Sequence, residues 1–394
     1  MRHSPDRPRF PATEAAGGAA LLVATVVALV WANSGWGDAY LATWQTPIRL
    51  HVGAVGFAAD ARQVVNEGLM TLFFLVVGLE IKRELVTGEL RAWRTAALPA
   101  IAALGGMAVP ALVYLAVNVG GPGARGWGVP MATDIAFAVG VVALLGRRVP
   151  ASLRLFLLTL AIVDDIGAIV VIAVFYPAGI SFPALLMAAL LVAAIVGLRA
   201  LGVARFPVYV VLGVGVWLAI DHSGVHATIA GALLGLLAPV RPQTERLERR
   251  LHPLTAFAIV PLFALANAGV VFGRHSLDAP GSSRIAVGVV LGLVVGKLVG
   301  VTGAAWLAVR LRVGSLPDGV GWGQFVGIAA VAGVGFTVSL FVAGLAFPAV
   351  ALEDAAKVGV LAASVLASAL GIGLLLLASR GRWPDDHAAD TLPR

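Results

Sequence analysis

The chain has 394 residues, of which 59% are hydrophobic and only 12% are charged, and its mean hydropathy is +0.94. A soluble globular protein has about 25% charged residues, so the composition excludes that class and predicts a membrane protein with several spans in contact with lipid. The absence of cysteine excludes disulfides and thiolate chemistry, and the net charge of +7 comes without the basic stripe and interleaved aromatics typical of nucleic-acid binding.

Apolar windows between polar or Gly/Pro breaks predict an all-α polytopic protein with about twelve transmembrane helices. We number them spans 1 to 12 in chain order, near residues 15–32, 61–81, 96–117, 128–146, 155–176, 181–199, 206–220, 225–239, 252–272, 285–309, 321–346 and 357–379. They form one membrane domain, 15–380, between an N-terminal tail, 1–14, and a C-terminal tail, 381–394. The external segment 33–60 is predicted to form a small hairpin or an interfacial helix.

The positive charges are distributed unevenly between the two sides of the membrane. If the N-terminus is cytoplasmic, 21 of the 28 lysines and arginines fall on the cytoplasmic side, 6 fall outside, and Lys297 lies within the membrane. Cytoplasmic loops of membrane proteins are rich in lysine and arginine, so both termini are predicted to be cytoplasmic. The same asymmetry explains the high isoelectric point without an anionic partner.

Two adjacent carboxylates, Asp164 and Asp165, interrupt the apolar run LFLLTLAIVDDIGAIVVIAVF at 155–175. Each costs several kcal/mol at that depth, and deep carboxylates usually have a functional role. Neighbours on a helix point about 100° apart, so one can face a partner while the other lines a water-filled cavity. Carboxylate oxygens suit Na⁺, Li⁺ or H⁺ as ligands, and a purely structural charge pair is the alternative.

Lys297 is the second unusual residue, because the chain has 25 arginines and only 3 lysines. A lysine can release its proton, whereas an arginine essentially never does, so its use in an apolar span indicates proton chemistry. The alternative is that it only neutralises a buried aspartate.

Spans 4 and 11 carry the composition of interrupted helices. Thr133 and Asp134 follow Pro130 in span 4, and Gly333-Val334-Gly335 precede Phe336-Thr337 in span 11. Paired interruptions in the two halves of a chain indicate the ion site of a transporter. Asp134 would then offset exposed helix N-termini and Lys297 exposed C-termini.

A peripheral set of titratable residues lies at the predicted cytoplasmic ends of spans 2 and 9. It comprises Glu80, Arg83, Glu84, Glu248 and His252. Histidine titrates near neutrality, so these residues form a candidate pH-responsive mouth, although an ordinary solvated helix end explains them equally well. His226, in DHSGVHATIAG at 221–231, is on its own more typical of a structural histidine.

Seven segments occur in an order that resembles the NhaA-type Na⁺/H⁺ antiporters of bacteria, from about residue 15 to 380. They are GLEIKRE at 78–84, ATDIAFA at 132–138, AIVDDIGAI at 161–169, SGVHATIAG at 223–231, LHPLTAF at 251–257, FALANAG at 263–269 and GVGFTVSLF at 333–341. The chain departs from the family pattern at Glu67, where an aspartate is common, and in its arginine-rich segment 240–252.

The resemblance implies inverted-topology repeats formed by spans 3–5 and 10–12, with spans 4 and 11 unwound and crossing. It implies that Asp164 and Asp165 bind the cation and the proton, that Lys297 pairs with Asp164, and that Thr133 and Asp134 lie on the unwound part of span 4. It also implies a pH response at the peripheral residues and His226.

These observations predict a secondary antiporter of the bacterial inner membrane that exports Na⁺ or Li⁺ in exchange for external protons. We expect no cofactor, no enzymatic activity, electrogenic exchange, activation at alkaline pH, and a homodimer. Two alternatives are an intramembrane aspartyl protease that uses Asp134 and Asp164, and a passive cation channel. The protease explains neither Lys297 nor the aspartate doublet, and a channel would conduct without proton coupling.

Overall fold

A computed structural model describes residues 10–52, 55–203, 205–271 and 279–379. The predicted C-terminal tail and the first nine residues of the predicted N-terminal tail lie outside these ranges. Ten of the predicted spans correspond to helices without a sharp bend: Phe10–Ala32 (span 1), Ala61–Val86 (span 2), Trp93–Asn118 (span 3), Ala151–Phe175 (span 5), Phe182–Ala200 (span 6), Phe206–His222 (span 7), Thr228–Leu237 (span 8), Pro242–Asn267 (span 9), Ser282–Arg310 (span 10) and Val350–Ser379 (span 12).

Spans 4 and 11 are each broken into two helices, which confirms the predicted interruptions. The halves are Ala124–Met131 with Ile135–Leu144 in span 4, bent by 44°, and Trp322–Val331 with Phe336–Ala346 in span 11, bent by 45°. The all-α membrane fold is thus confirmed, since seven of the described helices are long and apolar enough to cross a membrane alone and the broken spans add two more.

Segment 33–60, for which a hairpin or a helix was expected, contains one of each. A short helix, Gly37–Trp44, precedes an antiparallel hairpin of strands β1, Pro47–Val52, and β2, Val55–Asp60. Single-turn helices at Glu89–Arg91 and Gly146–Arg148 connect spans on the opposite side of the bundle.

Several boundaries differ from the prediction. Span 9 begins ten residues earlier than expected because the arginine-rich segment after Arg241 is helical: Pro242 occupies the first turn and Glu245 offsets the N-terminal dipole. Span 12 begins at Val350, where Lys357 pairs with Glu353 four residues earlier at 2.7 Å. Span 1 begins at Phe10, inside the predicted tail. Hydropathy underestimates helices whose ends carry charges.

Spans 3 and 10 run antiparallel and in close contact. A Cβ on Gly105 would lie 2.4 Å from the Gly300 carbonyl oxygen, and one on Gly300 would lie 2.2 Å from the Gly105 carbonyl oxygen. Only glycine permits this approach of two backbones. Spans 3–5 and 10–12 share the order long helix, broken helix, long helix and start on opposite sides, which is the arrangement of an inverted repeat.

Candidate functional site

The breaks of spans 4 and 11 meet in the middle of the fold. Residues 132–134 and 334–335 have left the helical conformation, which exposes backbone groups that a continuous helix would pair. The Asp134 amide donates to the Val334 carbonyl at 2.7 Å, and the Thr133 hydroxyl lies 2.8 Å from the Ala332 carbonyl oxygen. Each break therefore satisfies part of the other, and four helix ends converge at one point.

Asp134 caps two of these helix ends at once. Its Oδ1 accepts from the Phe137 amide at 2.9 Å, at the start of Ile135–Leu144. Its Oδ2 accepts from the amide and the hydroxyl of Thr337, at 2.9 and 2.6 Å, at the start of Phe336–Ala346. A carboxylate at a helix N-terminus stabilises both the free amides and the helix dipole.

Lys297 and Asp164 form a fully buried pair. The Lys297 Nζ donates to Asp164 Oδ2 at 2.7 Å, and both side chains have no exposed surface. The ammonium also donates to the Met131 carbonyl, at the C-terminal end of the half-helix Ala124–Met131. The charge thus lies where the helix dipole is negative. The Thr133 hydroxyl lies 2.6 Å from the same Oδ2.

The two aspartates of the doublet have different surroundings. Asp164 Oδ1 is buried and lacks a hydrogen-bond partner among the described residues. Asp165 is 5% exposed and directly follows Asp164 on span 5. Asp164, Glu80 and Asp134 act on it electrostatically. Carboxylate oxygens without donors are available to a cation or a proton.

Comparison with known proteins shows the family of the chain. Residues 8–375 match the Na⁺/H⁺ antiporter 1 family. The chain belongs to this family. A protein named Na⁺/H⁺ antiporter NhaA from Acidovorax sp. is 50% identical over 92% of this chain and 90% of its own length. A protein of the same name from Rhodopirellula baltica is 46% identical over 93% of both chains. Members of the family are transporters and not enzymes.

The peripheral residues of this family member lie together where spans 2 and 9 meet. Arg83 forms an ion pair with Glu248, whose side chain is 9% exposed. His252 Nε2 lies 4.0 Å from Glu80 Oε1, and Glu84 accepts a hydrogen bond from the Glu89 amide at 3.0 Å. The cluster therefore joins spans 2 and 9.

His226 is not part of that cluster. It lies in the connection before Thr228–Leu237, at the opposite end of the bundle, with its Nε2 3.0 Å from the Tyr176 carbonyl oxygen. Burial lowers the pKa of His226, and the hydrogen bond to Tyr176 opposes this shift. The ring is therefore uncharged at neutral pH and donates through Nε2.

Sequence reasoning missed two contributors to the site. Thr337 was recognised only as part of a break, yet its amide and hydroxyl both bind Asp134. The Met131 carbonyl, which binds Lys297, leaves no signal in the sequence because every residue has a carbonyl. A threonine one residue into a helix that follows a Gly-x-Gly break was the available signal for Thr337.

Proposed function

We propose that this protein is a secondary antiporter that exports cytoplasmic Na⁺ or Li⁺ in exchange for external protons, with Asp164 and Asp165 as the shared binding site. The observation that supports this most directly is the buried Asp164–Lys297 pair, in which the second carboxylate oxygen of Asp164, Oδ1, has no donor among the described residues. Hard monovalent cations prefer such oxygens. Two carboxylates bind a transported ion weakly enough to release it.

Competition for these carboxylates provides the coupling. A carboxylate that holds a proton cannot bind Na⁺, so a cation arriving from the cytoplasm must displace protons. A cation that takes Asp164 Oδ2 must also displace the Lys297 ammonium, which lies 2.7 Å away. Exchange is therefore slow in acid, where protons win, and faster at alkaline pH.

Electrogenicity follows if both aspartates or Lys297 release protons, because more than one proton then moves for each Na⁺. The membrane potential would contribute about 2.3 kcal/mol per net charge per 100 mV. Exchange in proteoliposomes should accelerate when a potassium gradient with valinomycin imposes a potential of the favourable sign. Rates that are independent of the imposed potential would show electroneutral exchange.

The pH response is assigned to Glu80, Arg83, Glu84, Glu248 and His252, since they join spans 2 and 9 and Glu80 acts electrostatically on Asp165. His226 would act separately, through the connection to Tyr176.

The protein is further proposed to be a homodimer in the bacterial inner membrane with cytoplasmic termini. The charge asymmetry supports the orientation. The two-stranded sheet of β1 and β2 leaves strand edges unpaired within the described chain, and such edges readily pair with another copy. The protease alternative is excluded by membership of a transporter family, and both carboxylate oxygens of Asp134 are engaged as helix caps.

Proton flux in everted vesicles tests the proposal. NaCl, LiCl or KCl is added at several pH values to vesicles containing the wild type, Asp165→Asn, or the exposed control Asp318→Asn. Na⁺ or Li⁺ should release protons from the lumen with the wild type and the control but not with Asp165→Asn. No proton movement with any cation would refute antiport, and conduction without proton movement would indicate a channel.

A further inference from the structure

Span 10 contains a wide helical turn immediately before Lys297. Ser282–Val290 and Lys297–Arg310 are α-helical, whereas Leu291–Gly296 is a π-helix, in which each amide bonds to the carbonyl five residues earlier. Such a turn accommodates about one extra residue and is frequent at functional sites. Neither the buried ion pair nor the breaks of spans 4 and 11 require this wide turn in span 10.

The spacing of the core residues of span 10 shows what the wide turn does. Six side chains with no exposed surface recur at every fourth position: Ile285, Val289, Leu293, Lys297, Val301 and Ala305. In a regular α-helix, side chains four residues apart point in directions that differ by about 40°, so the first and the last of these six would differ by about 200°. The extra residue in the wide turn reduces this difference by about 100°. Lys297 consequently stays on the face that points into the core.

Contacts with three neighbouring elements hold the wide turn. A Cβ on Gly296 would lie 2.8 Å from the Pro110 Cα in span 3, and a Cβ on Gly292 would lie 2.7 Å from the Pro130 Cβ in broken span 4. On the span 11 side, a Cβ on Gly333 would lie 2.3 Å from the Leu293 carbonyl oxygen. The turn is thus fitted against both broken helices, and no side chain larger than hydrogen fits at these positions without displacement.

We propose that the wide turn Leu291–Gly296 is the element that aims the Lys297 ammonium at Asp164 and the Met131 carbonyl, with Gly292 and Gly296 as positioning residues that act through it. This inference rests on the proposed competition between Na⁺ and Lys297 for Asp164. A methyl group at Gly296 displaces the turn from Pro110 and rotates Lys297 away from Oδ2. The misaligned ammonium competes less well, so Na⁺ binds more tightly.

A double-mutant cycle tests the inference with equilibrium binding of ²²Na⁺ to the purified full-length protein at one alkaline pH. Gly296→Ala should lower the half-saturating Na⁺ concentration about fivefold, within the range for directly coupled neighbours. In a Lys297→Met background the same change should have no further effect. Gly303→Ala is the matched control. Gly303 lies on the same span, and a Cβ added there would have no atom within 4 Å. If Gly296→Ala does not accumulate, Gly292→Ala replaces it.

The outcomes separate this inference from the proposed function. If the wild type binds ²²Na⁺ and Gly296→Ala has the same half-saturating Na⁺ concentration, the positioning role of Gly296 is overturned. An equal shift in the wild-type and Lys297→Met backgrounds would show that Gly296 acts on the fold and not through the lysine, and would also overturn it. Absence of ²²Na⁺ binding by the wild type would refute the proposed function and this inference together.

Discussion

Replacing Asp134 with alanine removes a side chain that caps two half-helices at once, Ile135–Leu144 and Phe336–Ala346. Three buried donors lose their acceptor: the Phe137 amide and the Thr337 amide and hydroxyl. Loss of an N-cap costs about 1 kcal/mol per helix, and loss of the charge at two dipoles adds about 0.3–1 kcal/mol each. With one further unsatisfied buried donor at about 1–3 kcal/mol, the total is about 4–7 kcal/mol. That is a large part of the roughly 5–15 kcal/mol that stabilises a typical domain.

Thermal unfolding of the purified protein in detergent measures this effect. Asp134→Ala should have the lowest melting temperature, and Asp134→Asn should be intermediate because its single carbonyl oxygen still accepts from one helix end. Asp318→Ala, at an exposed position, should match the wild type. Equal melting temperatures for Asp134→Ala and Asp318→Ala would refute the argument that this carboxylate stabilises the two breaks.

Three further outcomes follow from the same contacts. Thr133→Val removes the hydroxyl beside Asp164 Oδ2. A hydrogen bond to a charged group contributes about 1.5–3 kcal/mol, so the half-saturating Na⁺ concentration for exchange in vesicles should rise about tenfold. Thr133→Ser keeps the hydroxyl and should restore the wild-type concentration. Glu248→Gln breaks the part-exposed pair with Arg83, so the pH profile of exchange should move by about half a unit with little change in melting temperature. The lowered pKa of His226 means that the unfolded chain binds the proton first, so this residue destabilises the fold as pH falls below about 6.5. The melting temperature of His226→Gln should therefore fall less between pH 7 and 5 than that of the wild type, and an equal fall would contradict the assignment.

The central charges could be predicted because the membrane makes them conspicuous. A carboxylate in an apolar span is costly, so Asp164, Asp165 and Lys297 stand out against any packing explanation. The breaks of spans 4 and 11 could also be predicted from the sequence, because proline and paired glycines weaken a helix locally. In both cases the signal lies within a few neighbouring residues.

Other features could not be predicted because they depend on contacts between distant segments. The wide turn before Lys297 is fixed by Pro110 and Pro130, which precede it by more than 150 residues. The separation of His226 from the cluster at spans 2 and 9 likewise requires the fold, since the two were linked only through the family resemblance. The helical start of span 9 was missed because its arginines lower hydropathy while favouring the helix.

Four helix ends meet at the crossing, and charged side chains form hydrogen bonds with three of them. Asp134 caps two N-termini, and Lys297 faces the C-terminus of Ala124–Met131. The fourth end, the C-terminus of Trp322–Val331, has only neutral donors among the described residues: the Thr133 hydroxyl at the Ala332 carbonyl and the Asp134 amide at the Val334 carbonyl. In the proposed antiporter, its partial negative charge would add to the attraction of the carboxylates for a cation.

Thr133 connects that fourth end to the protonation state of Asp164. A hydroxyl donates only one hydrogen, yet Thr133 Oγ1 lies within hydrogen-bond distance of both Asp164 Oδ2 and the Ala332 carbonyl oxygen. The Asp164 carboxylate and the Ala332 carbonyl therefore compete for this single hydrogen. A proton on Asp164, as proposed above, would weaken the pull of the carboxylate on this hydrogen and favour its bond to the Ala332 carbonyl. In the proposed antiporter, binding and loss of a proton at Asp164 would therefore be transmitted through Thr133 to the break in span 11.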